Sequence, residues 1–252
     1  MDATNCSIFF RHKQSYSMAL RQEGFWDRHY EDELRNFDDA GDEGEVWFGK
    51  GLSRKVSARI VDLIKEDTSL PDDISVLDIG CGNAFLLIDL AQRLRPELHQ
   101  KRASFLGLDY SSNSIELCKR IIDARGLTEE ILSCQCDFLD LDQLNEITRS
   151  QTFDFVIDVG TYDAILLLGG EDQGKLSSTK KSYMTSLYSV VRSGSIYVLA
   201  SCNHTQDELM ELFHISCPKK RGNKLIGCID TPKFQFGGKT GSKVCCLIFK
   251  FD

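Results

Sequence analysis

Ser75-Val76-Leu77-Asp78-Ile79-Gly80-Cys81-Gly82-Asn83 reads as a short apolar strand running into a glycine-pinched turn, with a carboxylate just before the turn. Glycine permits the sharp bend and lets the backbone approach a ligand, because no Cβ intervenes. Further on, Phe105-Leu106-Gly107-Leu108-Asp109-Tyr110 is a second apolar strand ending in an acid. Strand, glycine turn, helix, and a strand closing on Asp or Glu form a nucleoside-binding unit, in which the second acid grips two ribose hydroxyls.

The details of the turn bear on which nucleoside it suits. A dinucleotide site wants a third glycine for close helix–strand packing and a pyrophosphate on the helix N-terminus. Here Phe85 occupies the third position, and Asp78 would face the pyrophosphate with like charge. An acid there suits a ligand with an amino group. S-adenosylmethionine fits, since it carries a sulfonium, an ammonium, a ribose and an adenine but no phosphate. A nicotinamide or flavin site and a ligand-free turn are the alternatives.

Outward from this unit, apolar runs and helical spacings alternate. Strands are expected at 76–79, 105–108, 131–136, 153–159 and 196–201, and helices at 84–94, 115–124, 180–191 and 205–213. Ser111 to Ser114 and Thr205 supply helix caps, with Glu208 at capping-box spacing. Upstream, helices are expected at 25–39 and 53–66; downstream, strand-like runs at 225–229 and 244–249 could close as an antiparallel hairpin. The alternation predicts an α/β domain with a mostly parallel, doubly wound sheet. It spans 25–252, and 1–24 is expected to be a loosely ordered extension or a short extra helix.

Ligands in such sheets sit over the carboxyl ends of the strands. Asp78 with Gly80, Cys81, Gly82 and Asn83 is expected to meet the methionine part, and Asp109 the ribose, with Tyr110 covering the adenine edge. Asp137 is expected to accept from the adenine amino group beside Phe138. Asp158 and Gly160 would lie nearest the reacting methyl. Methyl transfer from a sulfonium is an in-line displacement, and a lysine nucleophile must be neutral. Asp158, Tyr162 and Asp163 are the catalytic candidates, although Tyr162 and Asp163 suit a turn and a helix cap equally well. Trp26 and Trp47 are candidates to flank the cofactor through their ring faces, with ordinary core packing as the alternative. Asp158-Val159-Gly160-Thr161-Tyr162-Asp163 lacks the Pro-Pro-aromatic sequence expected for methylation of base amines.

The bulk properties agree. The chain has 252 residues, enough for one large α/β domain, with 42% hydrophobic and 27% charged residues. Ten cysteines without a C-x-x-C pair suggest buried thiols in a reducing compartment, and no metal site is expected. No apolar stretch is long enough to span a membrane, and residues 1–10 do not read as a signal peptide. A cytoplasmic, monomeric protein is the expectation. The net charge of −8 argues against a nucleic-acid partner and suits a basic one. The acidic stretch 31–45 is either a solvated face or a docking surface for a lysine-rich protein.

Several blocks together carry a family likeness: Trp26-Asp27-Arg28-His29-Tyr30, Gly44-Glu45-Val46-Trp47-Phe48-Gly49, the Asp78 to Asn83 turn, Asp158 to Ala164, Ser201-Cys202-Asn203 and Thr231-Pro232-Lys233-Phe234-Gln235-Phe236-Gly237-Gly238. In these the chain resembles the translation elongation factor 1-alpha lysine methyltransferases of the Efm4 type. The resemblance implies a seven-stranded Rossmann-like class I methyltransferase sheet with a reversed final strand. It implies S-adenosylmethionine as donor and a lysine of elongation factor 1-alpha, a basic cytosolic protein, as acceptor. A small-molecule methyltransferase and a catalytically silent scaffold are the competing readings. The chain departs from the family at Ala84, where relatives often have glycine, at Val159, often lysine, and at His204, often tryptophan.

Overall fold

The structure is a computed structural model. It describes residues 24–97, 102–168, 170, 172–215, 217–231, 233–236, 239–242 and 244–252. The expectation for the first residues therefore lies, but for Gly24, outside the described residues, as do Pro232, Gly237 and Gly238 of the family-like blocks.

Seven strands form one sheet: β1 (Asp73–Ile79), β2 (Arg102–Asp109), β3 (Ile131–Gln135), β4 (Phe153–Val159), β5 (Val191–Ser201), β6 (Asn223–Cys228) and, last in the chain, β9 (Cys245–Phe251). Their order is β3-β2-β1-β4-β5-β9-β6, and β9 runs antiparallel to both neighbours while the other pairings are parallel. The doubly wound sheet and its reversed final strand are as the sequence and its family likeness imply. A separate hairpin pairs β7 (Lys233–Phe236) with β8 (Lys239–Ser242), two strands that the hydrophobic pattern does not announce.

Side chains alternate across a strand, so each central strand feeds both faces. Val76, Phe105, Phe155, Ile157, Val198 and Ile248 pack on one face against α2 (Lys50–Glu66), α3 (Phe85–Leu94) and α4 (Ser112–Ala124). Leu77, Ile79, Val156, Tyr197, Leu199 and Phe249 pack on the other, against α6 (Thr161–Leu168), α7 (Gln173–Val190) and α8 (Gln206–Glu211). Near-continuous apolar runs are what a parallel strand covered on both faces requires, and each such Leu, Ile or Phe contributes roughly 1.5–3 kcal/mol by leaving water.

Two helices begin where the sequence gives no periodic signal. A short helix, α5 (Leu141–Thr148), starts on Asp140, whose side chain accepts from Asp142 N and Gln143 N. The helix expected at 180–191 starts a full two turns earlier, on Asp172, which accepts from Lys175 N. Polar Ser177, Ser178 and Thr179 hide that start from a hydrophobicity pattern.

The N-terminal helix α1 (Phe25–Ala40) has no fully buried residue, yet Tyr30, Leu34 and Phe37 line its inner face. It is fastened to α4 by Asn113 Nδ2 donating to Asp27 O at 3.1 Å and by the Arg120–Asp38 ion pair, and the loop after it by Arg125 to Glu43. Part of the acidic stretch is thus engaged in surface ion pairs within the chain that fasten this helix and the loop after it.

Candidate active site

The sheet changes winding direction between β1 and β4, the position where α/β folds open a crevice at the strand ends. A cavity of about 300 Å3 opens there, over the carboxyl ends of β1 to β4. Trp26, Trp47, Gly80, Asp109, Tyr110, Asp137, Phe138 and Gly160 line it. The other sequence candidates, Asp78, Cys81, Gly82, Asn83, Asp158, Tyr162 and Asp163, are not among its lining residues.

Asp109 ends β2 on the cavity wall. Its Oδ2 accepts from Gly82 N at 3.1 Å and its Oδ1 from Ser111 N at 3.0 Å. The Ser114 side chain also bonds this carboxylate, so of its roughly four acceptor sites only about one remains for a ligand hydroxyl. Burial pushes the Asp109 pKa up to about 6, against the pull of those backbone donors. Asp137 is similar in kind: Leu139 N occupies its Oδ1 at 2.9 Å, leaving Oδ2 as an acceptor at the cavity edge beside the Phe138 ring.

Asp78 is 3% exposed and has no hydrogen-bond or ion-pair partner among the described residues. Burial, then the charges of Asp158 and Asp109, push its pKa well above the carboxylate range. A carboxylate in that position is relieved by a cation and repelled by a phosphate.

The glycines are required by what stands opposite them. Gly160 has φ +95°, and a Cβ there would come within 2.4 Å of the Trp47 ring. Gly80 has φ +69°, and its Cβ would fall 2.0 Å from Thr161 Oγ1, which donates to Ile79 O at 2.7 Å. Trp47 in turn meets Trp26 edge to face at 5.1 Å, and Trp26 stacks on Tyr30 at 6.1 Å. These rings form an aromatic wall opposite the strand ends. Asn83 places that wall: its Nδ2 donates to Glu43 O at 2.8 Å and Glu45 O at 3.3 Å, and its Oδ1 accepts from Phe85 N. Cys81 points into the core, with its sulfur 3.7 Å from that of Cys118.

Asp158 is wholly buried in the corner between β4 and α6. It accepts from Thr161 N at 2.9 Å, Tyr162 N at 3.0 Å and the Tyr183 hydroxyl at 2.6 Å. Burial raises its pKa to about 7, with those bonds opposing the shift. Tyr183 also meets the Tyr197 hydroxyl at 2.7 Å. Asp163 faces β5, where it accepts from Ser201 Oγ at 2.5 Å and Cys202 N at 2.7 Å, with His204 Nδ1 at 3.2 Å. The Tyr162 hydroxyl is buried without a hydrogen-bond partner among the described residues.

The sequence reading misses Tyr30, Thr161, Ile165, Leu168, Lys175 and Thr179 on the cavity wall. Helical spacing contains most of them: Tyr30 is one turn beyond Trp26, Thr179 one turn beyond Lys175, and Thr161, Ile165 and Leu168 share one face of α6. That face becomes legible only once α6 is recognised as a helix.

Residues 70–243 match a family described as a methyltransferase domain. EEF1A lysine methyltransferase 2 of Danio rerio is 36% identical over 226 residues, covering 90% of this chain and 85% of that protein. Protein-lysine N-methyltransferase efm4 of Schizosaccharomyces pombe is 32% identical over 232 residues, covering 90% and 92%. Among solved structures, a putative S-adenosyl-L-methionine-dependent methyltransferase of Methanococcus maripaludis superposes with a TM-score of 0.51 at 14% identity, covering 89% of this chain and 92% of that one, a likeness of fold. With the strand-end acids, the reversed seventh strand and relatives matching along nearly their whole length, the chain belongs to the elongation factor 1-alpha lysine methyltransferase family of the Efm4 type, built on the class I methyltransferase fold.

Proposed function

We propose that the protein transfers a methyl group from S-adenosylmethionine to a lysine of translation elongation factor 1-alpha. The observation that carries the donor assignment is the electrostatics of the rim. Asp78, Asp109 and Asp158 are buried together, and their pKa values are all raised by burial. Such a site favours a positively charged adenosine compound and opposes a pyrophosphate. The Danio rerio relative is a lysine methyltransferase of EEF1A by name and the Schizosaccharomyces pombe one a protein-lysine N-methyltransferase, and the chain covers 85% and 92% of their lengths.

S-adenosylmethionine supplies an electrophilic methyl group. The chain's own residues bind, orient and exclude water. Asp109 would hold the ribose and Asp137 the adenine amino group, with Tyr110 and Phe138 beside the ring. Asp78 supplies negative charge behind the Gly80 turn for the methionine ammonium. Gly160 leaves room for the reacting centre, and the Trp26 and Trp47 faces favour a cation while keeping water out. Asp158 fixes the start of α6 and so the backbone of Gly160. The net charge of −8 favours encounter with a basic protein, and we place the reaction in the cytoplasm. Among the described residues no helix is long and apolar enough to cross a membrane.

The test is transfer of labelled methyl into purified elongation factor 1-alpha, followed by peptide mass spectrometry. Label on one or more lysines is expected. Donor binding without label in the factor would refute the acceptor assignment, and failure to bind the donor would refute the whole.

A further inference from the structure

We infer that the His204 imidazole, held by Asp163, takes the proton that the target lysine must lose before methyl transfer. This rests on the function proposed above and adds a group to it.

His204 lies on the loop after β5. Its Nδ1 is 3.2 Å from Asp163 Oδ1 and 3.1 Å from Ser201 Oγ, and its backbone N–H donates to Ser201 Oγ at 3.1 Å. Its ring packs on Tyr162 at 5.2 Å. Asp163 belongs to α6, so the contact ties the end of β5 to the segment that follows Gly160. With Nδ1–H directed at a carboxylate, the neutral ring carries its lone pair on Nε2. Nε2 has no partner among the described residues, and the side chain is 18% exposed. The charged and titratable groups facing the ring are Asp163 and Tyr162 from α6 and Glu208 from α8.

His204 is not itself one of the cavity-lining residues, but the strand it follows reaches them. Asp109 and Asp137 assign the ends of β2 and β3 to the donor. Gly160 N donates to Ala200 O at 3.0 Å, so the β5 end, one residue before Ser201, lies directly beside the cavity-lining Gly160. Neighbouring carboxylates do not compete for the proton. Asp158 is enclosed by its three donors, and Asp163 by Ser201, Cys202 and His204.

The chemistry requires such a group. A lysine ammonium has a pKa of about 10.4, so about one in a thousand is neutral near pH 7. In the proposed step one Nζ proton passes to His204 Nε2. The freed lone pair on Nζ forms the bond to the methyl carbon, and the carbon–sulfur bond breaks with its electron pair left on sulfur. The sulfonium charge becomes the charge of the methylated ammonium, and the imidazolium returns its proton to water.

The test compares His204→Asn, which keeps a donor toward Asp163, and His204→Phe, which keeps a ring, with the unaltered protein on elongation factor 1-alpha at saturating donor. Donor affinity by calorimetry is expected to stay within error, and His204→Phe, which strips a partner from buried Asp163, is expected to melt lower than His204→Asn. The rate at about pH 7 is expected to fall by about 10–100-fold. It should then rise by about tenfold per pH unit toward about pH 9, as the lysine ionises unaided, while the unaltered protein changes little. Variant and unaltered rates running parallel over that range would overturn the inference alone, as would loss of donor binding together with rate in both variants. An unaltered protein that transfers no methyl at any pH would overturn both the inference and the function beneath it.

Discussion

Donor binding should expel protons from the rim, and Asp109 sets the scale. Burial holds its pKa at about 6 in the free protein. A ribose hydroxyl donating to its remaining acceptor capacity favours the ionised form and lowers that value. With a bound-state pKa below about 4, release from this one group is about half a proton at pH 6 and about a tenth of a proton at pH 7. The dissociation constant then rises about tenfold, or about 1.4 kcal/mol, from about pH 7.5 to about pH 5. Asp78 and Asp158 are shifted in the same direction, so tenfold is a lower bound. The assay is titration calorimetry of S-adenosylmethionine at pH 6 in two buffers of different ionisation enthalpy, whose difference in heat counts the protons. Asp109→Asn should reduce the count and weaken binding by about 1–3 kcal/mol, the worth of charge-assisted hydrogen bonds. A dissociation constant that is flat over this range, with identical heats in both buffers, would refute the electrostatic reading of the site.

Gly160→Ala should abolish donor binding or displace Trp47, because the new Cβ meets the indole at 2.4 Å on a backbone with φ +95°; calorimetry and tryptophan fluorescence read the two outcomes. Asp158→Ala should cost about 2–4 kcal/mol of stability by stripping an acceptor from Thr161 N, Tyr162 N and Tyr183, visible as a lower melting temperature. Without donor, the protein should gain stability as pH falls. Asp109 and Asp158 have folded pKa values of about 6 and about 7 against an ordinary 3.8, so their contribution is fully present below 3.8 and lost as pH rises through those values. Melting curves at about pH 5 and about pH 8 check the sign.

The sheet was readable because its strands are apolar runs closed by acids or glycines, and its reversed last strand came with the family likeness. The segment 161–168 was not readable. TYDAILLL is an apolar run with no N-cap in its own sequence, directly after a strand, and pattern alone does not separate it from loop or strand. Its cap is Asp158, the carboxylate that the sequence reading places nearest the methyl. The hairpin at 233–242 has alternation too short to register. Asn83 looks like a ligand-facing residue of the glycine turn, but its amide is committed to Glu43 and Glu45, contacts some forty residues away that no local spacing encodes. The acids of β1, β2 and β3 kept their places at the strand ends because the parallel register aligns them: Ile79 pairs with Leu108, and Asp109 with Gln135.

The buried acids explain why the rest of the site is built as it is. A carboxylate out of water is costly unless paired, and Asp78 has no cation among the described residues to pair with. The seven-stranded core, with wholly buried Leu77, Phe155, Val198 and Phe249, supplies the rigidity that keeps these groups from escaping to solvent. The cost is therefore held in the free protein and released when a cation arrives. The same charge that attracts a sulfonium, however, also stabilises an incoming lysine as its unreactive ammonium. Donor affinity and acceptor activation make opposite demands on one negative rim. A fold meets both by separating them along the sheet, with acids that have no cation partner among the described residues over β1 to β3 and, beyond β4, acids engaged by donors of their own neighbourhood. Asp158 and Asp163 are engaged in this way, which leaves His204 Nε2 as the group proposed to receive the lysine proton.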